Sequence, residues 1–79
     1  MPALPSMKAS ELLRLLKRQP LSYRVERQKG SHIKLVSDSR PPLLFAFHQN
    51  QNLPPGMVRT ILKDQVGLSD EEIELVLKL

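Results

Sequence analysis

The sequence predicts one small α+β domain whose elements follow the order α-β-β-β-α-α. Apolar residues recur at helical spacing near both ends of the chain, and between these regions they alternate with a period of two. The 79 residues, 41% hydrophobic and 25% charged, suffice for one domain. Because so short a chain buries only about 60% of the surface that it exposes when unfolded, we expect a small core and a shallow working surface.

The first helix is predicted from Met7 to Arg18. Its apolar positions recur on one face, whereas Arg14, Lys17 and Arg18 occupy the other face. The helix ends before Pro20, because proline cannot extend the hydrogen-bond ladder and disfavours helical geometry in the residue before it.

The first strand is predicted over Leu21 to Glu26. Leu21, Tyr23 and Val25 alternate there with polar residues and are expected to face inward. Gly30 tolerates the positive φ that tight hairpins often require, so it is expected in the turn to the next strand.

The second strand is predicted over His32 to Val36. Ile33 and Leu35 are expected to face the helices, which places His32 and Lys34 on the open face of the sheet.

The third strand is predicted over Leu43 to His48, and its apolar composition leaves its facing open. If Phe45 and Phe47 point inward, His48 points outward beside His32.

Two helices complete the chain. The first follows Pro54 and Pro55, which suit a helix entrance, and ends before Gly67, which suits a C-cap. Ser69 and Glu72 form a Ser-x-x-Glu capping box for a last short helix. The inward positions of the two helices are Met57, Val58, Ile61, Leu62 and Val66 in one, and Ile73, Val76 and Leu77 in the other.

Positive charge is concentrated in the first half of the chain. Residues 1–40 hold nine basic and three acidic side chains, a net charge of +6, whereas residues 41–79 hold three and five, a net charge of −2. One part of the domain therefore suits a polyanion such as nucleic acid, although solvated lysines explain a mild excess equally well.

Several classes of protein are excluded or disfavoured. Without cysteine the chain has neither disulfides nor a cysteine-ligated zinc, and it has no glycine-rich phosphate loop or His-x-x-x-His pair, so we expect no metal and no cofactor. It has no apolar stretch that could span a bilayer and no signal peptide, so we expect a cytoplasmic protein that does not associate with membranes.

Two histidines near basic residues, His32 and His48, are the candidates for chemistry. Histidine titrates near neutrality and can take the proton from an RNA 2′-hydroxyl, while nearby cations stabilise charge on the phosphate. Arg24, Lys29 and Lys34 are candidate phosphate contacts. The alternative is that the histidines are ordinary exposed strand residues and the cations are solvated.

Three segments together resemble a known family. The chain has Arg-Gln-Lys-Gly-Ser-His at residues 27–32, Leu-Pro-Pro-Gly-Met-Val-Arg-Thr-Ile-Leu-Lys at 53–63 and Gly-Leu-Ser-Asp-Glu-Glu at 67–72. With a histidine closing the third strand and a leucine-rich first helix, this pattern resembles the HicA toxins, small messenger-RNA interferases of toxin–antitoxin modules. The resemblance extends from Met7 to the C-terminus.

The resemblance implies a fold like that of double-stranded-RNA-binding domains, with helices on one face of a three-stranded antiparallel sheet. It implies a single domain over residues 7–79, and we expect residues 1–6 to be a flexible N-terminal extension. It also implies that His32 is catalytic, with Gly30 in the turn and Ser31 as its neighbour, and that the partner is a HicB-type antitoxin.

The combined hypothesis is a toxin that cleaves single-stranded mRNA without a metal and without the ribosome. His32 is the general base and His48 the general acid, and the RNA-binding residues are Arg24, Lys29, Ser31 and Lys34. The toxin is expected to be a monomer when free and part of a hetero-oligomer when bound to its antitoxin.

The alternative function is a non-catalytic module of the same fold that binds double-stranded RNA. Such a module is expected to carry a basic cluster at the start of its final long helix. Residues 53–58 contain no lysine or arginine, which counts against this alternative.

Overall fold

The computed structural model describes residues 4–78 and confirms an α+β fold with a three-stranded antiparallel sheet. This is the architecture that the resemblance implies. In chain order the elements are β1 (Met7–Lys8), α1 (Ala9–Lys17), β2 (Arg24–Lys29), β3 (His32–Val36), β4 (Leu43–Ala46), β5 (Asn52–Leu53), α2 (Pro55–Arg59), which continues as a π-helix (Thr60–Gln65), and α3 (Asp70–Lys78).

The core lies between one face of the three-stranded sheet and the helices. Strand β3 buries Ile33 and Leu35 as predicted, and β4 buries Leu43 and Phe45. These side chains join one apolar cluster with the buried faces of the helices, whose main members are Leu12, Leu16, Val58, Leu62, Val66, Ile73 and Val76. The opposite face of the sheet is therefore left open to solvent.

The first strand differs from its prediction in both position and burial. Strand β2 begins at Arg24 rather than Leu21, and Val25, expected inside, is 40% exposed. Val25 shares a face with its partner Leu35 but, unlike Leu43 and Phe45 on the other outer strand, it does not join the apolar cluster.

Leu21 and Tyr23 are buried as predicted, but in the connection before β2. The Tyr23 amide donates to the Leu16 carbonyl at 2.9 Å, and the Tyr23 hydroxyl donates to the Pro41 carbonyl at 2.7 Å. The first bond docks the segment on the end of α1, and the second joins it to the connection between β3 and β4.

A second, two-stranded sheet was not predicted. Strand β1 pairs antiparallel with β5, so that Met7 lies opposite Leu53, and α1 consequently begins at Ala9 and not at Met7. Two-residue strands have too short a pattern to be recognised from alternation, since a period of two needs several residues to show.

The helix predicted at Pro54 and Pro55 is present, and its second half is wound as a π-helix, which is wider than an α-helix. The Val66 amide donates to the Ile61 carbonyl at 2.9 Å, a bond that spans five residues and defines the π-helical part. Met57, expected on the inward stripe, is 39% exposed. Gly67 has a φ of 87°, the left-handed geometry of a C-cap residue.

The last helix has the predicted capping box. The Ser69 amide donates to Glu72 Oε1 at 2.9 Å, and the Glu72 amide donates to Ser69 Oγ at 3.2 Å. Two ion pairs then connect the start of α3 to the rest of the domain: Arg40 with Glu72, and Lys63 with Asp70, each at 2.8 Å.

The predicted extension over residues 1–6 falls in part on residues 1–3, which lie outside the described residues. Leu4 packs against the core as a half-buried side chain. Between residues 4 and 78, no helix has both the length and the apolar character needed to cross a bilayer.

Acid is expected to destabilise the fold through the start of α3. Hydrogen bonds from Ser69 and Arg40 hold the pKa of Glu72 below its usual 4.5, and the hydrogen bond from Lys63 lowers the pKa of Asp70 from 3.8. A carboxylate with a lowered folded pKa adds stability above its unfolded pKa, and this stability is lost as the pH falls through the folded value.

The urea midpoint should therefore fall as the pH drops below 4.5, and Glu72→Gln should reduce this pH dependence. Glu71→Gln is the matched control, because Glu71 forms no ion pair within residues 4–78. An equal effect of both variants on the pH dependence would contradict the assignment to the capping box.

Candidate functional site

The open face of the sheet carries a histidine and cations in rows that the strand register sets. Lys29 on β2, His32 on β3 and Ala46 on β4 are successive partners, and directly opposed residues share a face. We call these three residues the histidine row. The next row on the same face consists of Arg27, Lys34 and Leu44.

The turn between β2 and β3 fixes this register. Gly30 and Ser31 form a two-residue loop, and Gly30 has a φ of 61°, as the first central residue of a type II′ turn requires. The Gln28 side-chain amide donates to the Gly30 carbonyl at 3.3 Å, which braces the loop. Lys29 and His32 are consequently neighbours at the tip of the hairpin.

His32 is accessible to a large substrate. Its side chain is exposed. Its partner on β4 is Ala46, whose side chain is only a methyl group. An exposed histidine paired across the strands with a lysine offers a substrate one group that can transfer a proton and one positive charge.

The cations of the open face differ in their pairing. Lys34 Nζ lies 3.1 Å from Glu26 Oε1, and Arg24 forms a 3.1 Å ion pair with Asp38. Within residues 4–78, Arg27 and Lys29 form no ion pair. A polyanion would therefore meet Lys29 and Arg27 directly, whereas it competes with carboxylates for the other two.

Arg27 was not among the residues predicted to lie on the open face. Unbroken alternation from Tyr23 and Val25 directs Arg27 and Lys29 inward, but the pairing register shifts between Val25 and Arg27 and leaves Glu26 as an extra residue. This β-bulge reverses the alternation and places both cations on the open face. The sequence did contain a signal for this reversal, because burying both Arg27 and Lys29 in a small apolar core would cost free energy.

His48 lies elsewhere than its predicted strand position implies. Strand β4 ends at Ala46, so strand parity does not orient His48. The exposed His48 instead lines a shallow cleft of about 260 Å³, together with Gln28, Gly30, Ser31, Ile33, Phe47 and Gln49. The half-buried Ser31 thus lies beside His48 in this cleft, and His32 is not among the lining residues.

Phe47, the residue before His48, faces the apolar core. Its ring packs edge-to-face on Phe45, with centroids 5.1 Å apart, and both rings belong to the apolar side of the chain.

Among the described residues, no group of three or more histidine, aspartate or glutamate side chains is placed to hold a metal ion.

The fold and this face define a small basic α+β domain of the double-stranded-RNA-binding-domain-like class. The family model described as the HicA toxin of bacterial toxin–antitoxin matches residues 9–68. This match covers well over half of the chain and includes the Gly-Ser-His turn, so the chain belongs to the HicA toxin family, whose members are toxins of toxin–antitoxin systems. No curated protein and no solved structure gives a significant match to the chain.

Gly30→Ala should destabilise the domain by about 1–2 kcal/mol, because a side chain in the left-handed region is strained even where no atom lies within 4 Å of the new Cβ. Gly56→Ala is the matched control. Gly56 lies in α2 with equal space and no positive φ, so alanine there should raise the free energy of unfolding by up to about 1 kcal/mol. Urea titration of both variants measures the difference, and a loss of stability at Gly56 as large as at Gly30 would contradict this account.

Proposed function

We propose that this toxin is an endoribonuclease that cleaves single-stranded mRNA without a metal and without the ribosome. The observation that carries the proposal is the pairing of Lys29 with His32 at the exposed tip of the hairpin. RNA supplies its own nucleophile, the 2′-hydroxyl, so a base, an acid and positive charge suffice for cleavage.

In the proposed reaction, His32 removes the proton from the 2′-hydroxyl. The 2′-oxygen attacks the adjacent phosphorus, the bond from phosphorus to the 5′-oxygen breaks, and the products end in a 2′,3′-cyclic phosphate and a 5′-hydroxyl. Lys29 is proposed to offset the charge that gathers on the phosphate oxygens, because it is the cross-strand partner of His32 in the histidine row.

His48 is the proposed general acid for the leaving 5′-oxygen. It follows Ala46, the partner of His32, by two residues, which is about 7 Å of extended chain. A phosphodiester over the hairpin tip can therefore face His32 on one side and the cleft of His48 and Ser31 on the other. The Ser31 hydroxyl is proposed to bind a phosphate or ribose oxygen there.

The remaining cations are proposed to hold the RNA strand. Arg27 and Lys34 lie one row behind the histidine row, and Arg24 lies further along β2. Residues 53–58, at the entrance of α2, carry no basic side chain, which favours a single strand over a duplex.

The proposed partner is a HicB-type antitoxin in the cytoplasm. The toxin is proposed to be a monomer when free and part of a hetero-oligomer with its antitoxin. A partner with acidic groups over Lys29 and Arg27 would block access to His32 and match the charge of the open face.

Replacement of His32 should abolish most of the cleavage. His32→Ala is expected to lower the cleavage rate of a 5′-labelled single-stranded RNA in excess EDTA by about 10²–10⁴-fold, the usual contribution of general acid–base catalysis. RNA binding should persist, since the cations of the face remain. Wild-type fragments should carry 2′,3′-cyclic phosphate ends.

His48→Gln tests the general acid in the same assay, and an unchanged rate would remove His48 from the mechanism. Intact RNA with the wild type, combined with retention of RNA by the protein, would instead support the non-catalytic RNA-binding module.

The salt dependence of RNA binding should rank the cations by their pairing. On single strands each phosphate contact contributes about 0.7 to the slope of log K against log salt concentration. Lys29→Gln should therefore flatten the slope by about 0.7, and Lys34→Gln by less, because Glu26 already neutralises Lys34. Glu26→Gln should steepen it. Equal effects of the two lysine variants, measured by fluorescence anisotropy, would contradict this ranking.

A further inference from the structure

A second basic surface lies on α1, outside the open face of the sheet. Ser10, Leu13, Arg14 and Lys17 share one side of the helix, since they recur at i, i+3, i+4 and i+7. Together with Gln49 they line a cleft of about 280 Å³. We call these four residues the α1 stripe, which extends for about 10 Å along the helix axis.

The α1 stripe is continuous with the candidate site through Gln49. Gln49 lines both this cleft and the cleft that contains His48 and Ser31. The loop between them is fixed on α1, because the Ser10 amide donates to the Gln49 carbonyl at 3.1 Å and the Ala9 amide donates to the Gln51 carbonyl at 2.8 Å. The two clefts therefore form one surface path.

The charge of this path suits a polyanion. Arg14 and Lys17 are exposed, and within residues 4–78 neither forms an ion pair, in contrast to Arg24 and Lys34 on the sheet. Glu11, the acidic residue of α1, does not line this cleft, although Glu11 and Glu74 line a separate cleft on the other side of Arg14. Unpaired cations on a fixed surface bind phosphate without first breaking an internal contact.

The shape of the path suits a strand and not an enclosed ligand. Both clefts are slightly smaller than the 300 Å³ or so that encloses a small molecule. A flexible single strand that crosses the surface needs only shallow depressions for its bases or riboses, with cations for its phosphates.

From the shared Gln49, the unpaired cations and the shallow clefts, we infer that single-stranded RNA extends from the hairpin tip across Gln49 onto the α1 stripe, where Arg14 and Lys17 bind its phosphates. The inference rests on the proposed function for the identity of the strand. It adds a binding region beyond the residues that surround His32.

Binding of an uncleavable probe tests the inference separately from catalysis. The probe is a fluorescent dodecanucleotide of RNA with 2′-O-methyl riboses, compared with a trinucleotide of the same chemistry. Arg14→Gln and Lys17→Gln should each flatten the salt slope for the dodecanucleotide by about 0.7 and leave that for the trinucleotide unchanged. The matched control is Arg59→Gln, an exposed helical arginine that forms no ion pair within residues 4–78 and should leave both slopes unchanged.

Unchanged dodecanucleotide slopes for both α1 variants would overturn the inference and leave the α1 stripe as a face for an acidic protein. An equal flattening by Arg59→Gln would also overturn it, because the effect would then reflect net charge alone. Cleavage of unmodified RNA by the wild type is measured in parallel. Flattened slopes without cleavage would support the binding path and reject the nuclease. Cleavage with unchanged slopes would support the nuclease and reject the binding path.

Discussion

The two-residue turn at Gly30 and Ser31 is the constraint on which the candidate site depends. A turn of this length permits one register between β2 and β3, and that register makes Lys29 the neighbour of His32. A longer or differently shaped loop would move the lysine along the strand. The positive φ of Gly30 thus permits the turn that places Lys29 opposite His32.

The β-bulge at Glu26 follows from constraints at the two ends of β2. Tyr23 is held in the core by its bonds to Leu16 and Pro41, while the turn holds Lys29 on the open face. The two residues are an even number of positions apart, so unbroken alternation would give them the same facing. One extra residue resolves the conflict, and as a result Arg27 joins the face of His32.

The charged side chains of the domain differ in their pairing from one region to another. At the start of α3, carboxylates accept hydrogen bonds from the Ser69 amide and from the Arg40 and Lys63 side chains, and these contacts stabilise the fold. On the open face and the α1 stripe, several cations have no acidic partner among the described residues. Three carboxylates of the second half, Asp70, Glu72 and Glu74, therefore form ion pairs, whereas four cations of the first half, Arg14, Lys17, Arg27 and Lys29, form none within residues 4–78.

The sequence by itself determined the main helices and strands and their order, the inward positions of β3, and the capping box of Ser69 and Glu72. It also determined the family, through the Gly-Ser-His segment together with residues 53–63 and 67–72. These features depend on residues close together in the chain, where alternation, helical spacing and capping act locally. Only the tertiary structure decided that Arg27 shares the face of His32, that Glu26 and Asp38 form ion pairs with Lys34 and Arg24, and that His48 lies in a cleft with Ser31. Register, ion pairing and the path of the chain after a strand depend on which distant segments pack together. The local pattern of residues does not decide this, whereas tertiary contacts such as those of Phe47 and Tyr23 do.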